Sequence, residues 1–372
     1  MKKSILHISA FLAFALNVFG QSPTIPPPPP PLVINDSTIL KIDSRLIMVP
    51  VSVTDGRGNA VKGLSNENFR VSEDGKTQEI TDVSPAEDVP LEIALLFDVS
   101  ASTDPMFKFE QETAAKFLQV VMRPQDRATI FTIGEKPVIV QTRNVANVSI
   151  ATINSIMPTK QFTAFFDTVS AAARYLNENA PPKSRKVILA ITDGEDTNSD
   201  GIREGFADVY KQVSKDLNNL DSKKLRELYV EKRDQIKDIE RKKSLKFLQD
   251  SDVVFYSINP AGSSIQLNKM SQFGQTNMEV FANATGGTAY LPRFLPTDLK
   301  SEFESGANIQ KNINELNGIF LKLGNELQSQ YLVQYYSDNE FPLNTYVNVE
   351  LKVLLSLPQG VKSRARAGYY VK

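Results

Sequence analysis

Asp98, Ser100 and Ser102 form an Asp-x-Ser-x-Ser motif at the end of the apolar run LEIALLFDV. Two further oxygen-bearing side chains come later: Thr163 lies in FTAFFD, and Asp193 follows the apolar residues of VILAITDG. Carboxylate and hydroxyl oxygens suit hard cations such as Mg²⁺, Mn²⁺ or Ca²⁺. Together these residues provide two carboxylates and three neutral hydroxyls, which is a ligand set for one divalent cation.

The residue types that are missing narrow the chemistry further. The chain of 372 residues has no cysteine, and its one histidine is His7, in a segment that we expect to be removed. A Ser-His-Asp hydrolase is therefore excluded, and zinc or iron held by thiolate or imidazole is disfavoured. The formal net charge is −1. Such a balance gives no overall field toward nucleic acid, and we expect no nucleic-acid partner.

The segments that carry these residues predict an α/β fold with a doubly wound, mostly parallel sheet. The runs LEIALLFDV, RATIFTIG, SRKVILAITDG and DVVFYSINP are typical of buried parallel strands and alternate with helical patterns, whereas VIVQT indicates an antiparallel edge strand. Ligands of such sheets bind beyond the carboxyl ends of the strands. Asp98 and Asp193 end strands, and Thr163 opens a helix, so all five side chains are expected at one edge.

The segment after the first motif is predicted to be a helix. The segment FKFEQETAAKFLQVVM has its helically spaced positions at Phe107, Glu110, Ala114, Phe117, Leu118 and Val121.

DVSAS, TAFFD and ITDGEDT, in this order, resemble the metal-ion-dependent adhesion motif of von Willebrand factor type A (VWA) domains. The resemblance covers residues 91–292, and both flanks are similar to those of exported bacterial proteins related to this domain. All five site residues match in type, although Phe162 stands where a glycine often precedes the threonine. The resemblance implies a metal ion whose open position is filled by a Glu or Asp carboxylate of a protein or surface ligand.

Composition shifts divide the chain into a predicted series of segments. Lys2 and Lys3 precede a short apolar run that ends at Gly20, which is typical of a signal peptide. This predicts that the protein is secreted, periplasmic or located at the cell surface. After cleavage of the signal peptide, no transmembrane span is expected. The segments are a signal peptide (1–20), a proline-rich linker (21–38), an N-terminal β segment (39–89), the VWA domain (90–329) and a C-terminal β segment (330–372).

Neither β segment has enough strands to be stable alone, so we expect them to form one small β domain that flanks the α/β domain. Inside the α/β domain, residues 203–250 are predicted to be a long charged helical insertion. Its apolar stripe favours packing on the domain, with a protruding helix or an oligomer contact as alternatives. The stripe consists of Leu217, Leu220, Leu225, Leu228, Ile236 and Ile239.

The site residues also have structural interpretations. Ser102 could cap the next helix, and Asp193-Gly194 is a common turn dipeptide. Glu195 and Asp196 are expected to orient bound waters or to cap the following segment.

Three functions remain open. The leading hypothesis is a non-enzymatic, metal-dependent adhesion protein with no catalytic residues. The alternatives are a magnesium-dependent phosphohydrolase, or a structural assembly protein in which the metal is incidental. The identity of the ligand and the oligomeric state stay undetermined.

Overall fold

A computed structural model of the protein describes residues 45–100, 104–159, 162–215, 221–260, 269–295, 300–357 and 360–371. All of them belong to one unit, Ser44–Lys372. The predicted signal peptide and proline-rich linker lie outside the described residues, as do Ser102, Leu217 and Leu220. None of the described helices is long and apolar enough to cross a membrane.

The described elements begin with four strands, β1 (Arg45–Asp55), β2 (Phe69–Glu73), β3 (Lys76–Gln78) and β4 (Ile80–Pro85). The α/β part follows with β5 (Leu91–Asp98), α1 (Asp104–Val121), β6 (Arg127–Ile133), β7 (Val138–Asn144), α2 (Ala146–Ser155), α3 (Phe165–Asn179), β8 (Arg185–Ile191), α4 (Asp200–Ser214), α5 (Ser222–Asp250), β9 (Val253–Ile258), α6 (Lys269–Thr285), β10 (Ala289–Tyr290) and α7 (Glu302–Gln328). The last strands are β11 (Gln330–Ser337), β12 (Tyr346–Val353), β13 (Val361–Ala365) and β14 (Gly368–Tyr370).

The six strands of the α/β domain lie in the order β10-β9-β8-β5-β6-β7. All neighbours are parallel except β6 and β7, which confirms the predicted antiparallel edge strand. Numbered within the domain, this is the 3-2-1-4-5-6 order of doubly wound folds. The order reverses between β5 and β8, so a crevice opens beyond their carboxyl ends.

Helices cover both faces of this sheet because its strands are apolar on both sides. Leu95 and Phe97 of β5 pack against α1 and α7 on one face. Ala94 and Leu96 pack on the other face, against α3 and α6. The apolar positions predicted for α1 are all buried, and so is Glu110 among them. Two apolar layers therefore pack on the sheet and fix the position of the loops at its carboxyl edge.

The N- and C-terminal strands interleave into two four-stranded antiparallel sheets, β13-β1-β11-β4 and β14-β12-β2-β3. Valines of β1 and β2 and tyrosines of β11 and β14 share one core between these sheets. The predicted β domain, formed from both ends of the chain beside the α/β domain, is thus present. The predicted hairpin turn at Asp74-Gly75 is also confirmed, with φ angles of 44° and 84° between β2 and β3.

The described residues between 200 and 250 form two helices, α4 and α5, which pack against each other, and α5 also packs on α3 and α6. The prediction for the apolar stripe is wrong at one position, because Ile239 is 48% exposed. The buried residues of α5 are mainly polar: Lys237, Glu240, Ser244, Leu248 and Gln249. Polar side chains can be buried between α5 and its neighbouring helices because other groups interact with them there. Lys237, for example, lies over the ring of Phe273.

Candidate metal site

Asp98 is the last residue of β5 and is 5% exposed. The backbone N–H and the hydroxyl of Ser100 both donate to its Oδ1, at 2.9 and 2.6 Å. On the other side, Thr192 Oγ1 donates to Oδ2 at 2.7 Å. This second contact follows from strand register, since Phe97 pairs with Ile191 and the next residues are therefore neighbours. Thr192 belongs to the site but was absent from the prediction.

Asp193 follows Thr192 and opens the third loop. The backbone N–H of Glu195 donates to Asp193 Oδ1 at 2.9 Å. Gly194, with φ at +75°, lies so close to Gly274 of α6 that a Cβ at either position would meet the other segment's backbone oxygen at 2.4 Å. Only glycine fits such an approach. The packing of this loop on α6 therefore fixes the backbone that carries the second aspartate.

Thr163 lies in the second loop, just before α3, and is 8% exposed. Its backbone N–H donates to Thr197 Oγ1 at 3.0 Å, and its carbonyl accepts from the N–H groups of Thr197 and Asn198 at 2.9 Å. The N–H of Ala164 donates to Gly134 O, beyond the end of β6, at 2.7 Å. The second loop is thus held to the third loop and to the sheet edge next to Asp98.

The two neighbouring acids of the third loop have structural partners. Asp196 accepts hydrogen bonds from the backbone N–H groups of Phe166, Asn198 and Ser199, and from the Ser199 hydroxyl. It therefore caps the start of α3, while burial raises its pKa to about 6. Glu195 Oε1 accepts from Ser271 Oγ at 2.8 Å. The sequence predicted a cap on the following segment, and the bonds of Asp196 to Asn198 and Ser199 lie directly before α4, whereas its bond to Phe166 is to the earlier helix α3.

The electrostatics of the two site aspartates favour a cation. Burial raises the pKa of Asp98, and burial together with Asp98 raises the pKa of Asp193 to about 7. Among the described residues, no cationic side chain shifts the pKa of Asp98 or Asp193. Two carboxylates brought together without a positive partner repel each other, and a bound divalent cation removes that cost.

Asp98 ends β5, Asp193 lies just beyond the end of the neighbouring β8, and Ser100 bonds Asp98. Thr163 lies in the adjoining loop, and Ser102 lies outside the described residues. Among the described side chains, no group of three or more His, Cys, Asp and Glu is placed to hold a metal ion. The donor set at the edge is instead two carboxylates supplemented by hydroxyls. Such a set fits a hard cation that keeps part of its water shell, as Mg²⁺ does.

No protein-family model matches the chain, and no curated protein matches it. Solved structures do show similarity. An aerotolerance-related membrane protein from Bacteroides fragilis is 15% identical, with a TM-score of 0.35 over 62% of this chain and 99% of that one. Proximal thread matrix protein 1 from the mussel byssus, solved with a zinc-occupied MIDAS motif, is 11% identical, with a TM-score of 0.39 over 69% and 50%. A von Willebrand factor type A protein from Catenulispora acidiphila is 8% identical, with a TM-score of 0.36 over 74% and 51%.

This chain spans about half the length of the mussel and Catenulispora chains, and similarity at these levels concerns the fold alone. The strand order and the antiparallel edge strand define the central domain as the doubly wound α/β fold predicted from the sequence.

Proposed function

We propose that this protein is an exported, non-enzymatic binding protein that captures a protein or surface ligand through a divalent cation. The cation is Mg²⁺, with Mn²⁺ or Ca²⁺ as substitutes, and its ligands are Asp98, Ser100, Ser102, Thr163 and Asp193. The observation that carries the proposal is the pair Asp98 and Asp193. The two residues lie at the carboxyl ends of the neighbouring strands β5 and β8, and hydroxyl and backbone groups donate hydrogen bonds to their carboxylates.

The chemistry of the site supports binding rather than catalysis. A phosphohydrolase with an aspartate nucleophile at position 98 would need a second acid two residues later, but that residue is Ser100, which donates to Asp98. With only two carboxylates among its five proposed ligands, a bound divalent cation keeps coordination positions for water. An acidic group of a partner can then displace a water and bind the cation directly.

Calorimetric titration of the protein with Mg²⁺ and Mn²⁺ tests the metal site. Wild type is expected to bind one cation, and Asp98→Ala is expected to lose most of that affinity. Asp208→Ala is the matched control, because it removes a carboxylate that is 67% exposed on α4. If Asp98→Ala binds the cations as tightly as wild type, the motif is a capping turn, and a structural role replaces the proposed function.

Access of an acidic ligand to the cation can be tested with acetate as the probe. Bound Mn²⁺ relaxes the methyl protons of an acetate ion that enters its coordination shell, and we expect this enhancement for wild type and not for Asp98→Ala. A phosphatase assay on the same samples should stay blank. Turnover of phosphomonoesters that depends on Asp98 would make the protein an enzyme instead.

Export is tested separately by intact-mass measurement on protein isolated from its host. The mature chain is expected to begin near Gln21. A cytoplasmic species that still carries residues 1–20 would contradict this part of the proposal.

A further inference from the structure

Glu110 is a carboxylate on the apolar face of α1, and neither the motif nor the packing accounts for it. It is 6% exposed and lies one turn from Phe107, whose ring packs at 5.4 Å from that of Phe97, the neighbour of Asp98. Its Oε2 is buried and has no hydrogen-bond partner among the described residues. An unpartnered acid in such a place is costly unless something else compensates it.

The direction of α1 points this side chain toward the site. The helix begins at Asp104, directly after the first loop, and side chains of a helix lean toward its N-terminus. The long Glu110 side chain in the second turn therefore extends toward the sheet edge. Asp98 and Asp193 are the two charged groups that act on it, and with burial they raise its pKa to about 9. All three acids thus share one electrostatic environment.

We propose that Glu110 is a positioning residue of the cation site, whose carboxylate supplies a third negative charge from the buried side and strengthens cation binding. The inference rests on the proposed function. Glu110 is no direct ligand in a three-acid cluster, since the described residues form none. Its carboxylate acts on the bound cation through electrostatic attraction or through a bridging water molecule. When the cation is absent the side chain is neutral, and binding of the cation favours its ionised form, which releases one proton to solvent.

The test is calorimetric titration with Mg²⁺ in two buffers of different ionisation enthalpy, which gives both the affinity and the number of protons released. Glu110→Gln is expected to bind Mg²⁺ about tenfold more weakly, as one lost charge at several ångströms implies. It should also release about one proton fewer per cation. Glu110→Asp keeps the charge and should restore most of the affinity. Thr113→Val, a buried polar change on the same helix, is the matched control and should leave both quantities unchanged.

Glu110→Met guards against a folding defect, because it fills the same space without a charge and should lower affinity as Glu110→Gln does. Wild-type affinity and proton release in folded Glu110→Gln or Glu110→Met would overturn the inference, and so would an equal loss in Glu110→Asp. Asp98→Ala separates the two proposals. If that variant loses Mg²⁺ binding while the Glu110 variants keep it, the proposed function stands and only the role of Glu110 fails.

Discussion

Carboxylates are buried in both parts of this protein, but two of those in the α/β domain have far fewer hydrogen-bond partners than Glu73 of the β domain. Glu73, in the core of the β domain, accepts hydrogen bonds from Tyr335, Tyr369, Ser337 and Asn339 at 2.6–3.2 Å. In the α/β domain, Asp193 accepts from the Glu195 N–H, and one oxygen of Glu110 has no partner among the described residues. A carboxylate whose oxygens all accept hydrogen bonds from the protein, such as Glu73, has a structural role. Carboxylates with unused lone pairs, such as Asp193 and Glu110, are suited to interact with a bound cation.

The largest effect is expected where the carboxylate is fully bonded. Glu73→Ala leaves two tyrosine hydroxyls and a serine hydroxyl buried without their acceptor, which should lower the free energy of unfolding by about 3 kcal/mol or more. Cation affinity should stay at the wild-type value. Urea denaturation and calorimetry measure the two quantities, with the exposed Glu350→Ala of the same sheet as control. A change below about 0.5 kcal/mol would mean that the network does not stabilise the sandwich.

Mg²⁺ should stabilise the folded protein only through the carboxylates of the proposed metal site in the α/β domain. At a concentration of 100 times its dissociation constant, the cation is expected to add about 2.7 kcal/mol to the free energy of unfolding of wild type. Asp98→Ala should gain almost nothing, whereas Glu350→Ala should gain as much as wild type. Denaturation with Mg²⁺ and with EDTA gives the difference. Equal stabilisation of Asp98→Ala would place the cation elsewhere.

A smaller effect is expected when a loop is displaced without losing a ligand. Gly274→Ala puts a methyl group 2.4 Å from the Asp193 carbonyl, so the third loop must shift. We expect Mg²⁺ affinity to fall about tenfold, in the range of other residues that orient ligands. Gly306→Ala, whose Cβ meets nothing within 4 Å, should keep wild-type affinity. If Gly274→Ala binds as wild type does, packing on α6 does not set the position of Asp193.

A further effect concerns pH in the absence of a cation. The pKa of Asp193 is raised from 3.8 to about 7, so its proton is bound more tightly in the folded state. This favours folding below about pH 4, and the contribution is lost as pH rises through 7. In EDTA, Asp193→Asn should therefore become increasingly more stable than wild type between about pH 4 and 7. Denaturation across this range checks the trend, and a constant difference between the two proteins would contradict it.

The sequence predicts most of the fold because its signals are local. The continuous apolar runs of β5 and β8 predict buried parallel strands, and Asp74-Gly75 predicts the β2–β3 hairpin. The sequence also locates the carboxyl edge, because Asp98 and Asp193 end predicted strands. The stripe on α5 is less predictable. The buried face of α5 instead includes polar residues. Glu240 lies against Gly201 of α4, and Lys237 lies over the ring of Phe273 of α6.

Two residues near the site were missed for a related reason. Thr192 bonds Asp98 only because the register of β5 on β8 sets them side by side. Glu110 was only one of the helically spaced positions in the sequence, and its relation to the aspartates depends on how α1 lies on the sheet. Both are consequences of tertiary packing between segments far apart in sequence. Motif spacing carries no information on such contacts.

The interleaved strands of the β domain also impose an order on its folding. β1 has β11 and β13 as its neighbours in the sheet, and both belong to the stretch after residue 329. During synthesis both edges of β1 therefore stay without a partner strand until more than two hundred further residues have been made. The α/β domain, whose strand neighbours come sooner, can fold in the meantime. Closure of the sandwich is then the late, slow step, and until it occurs the valines of β1 are the surface on which a nascent chain would aggregate.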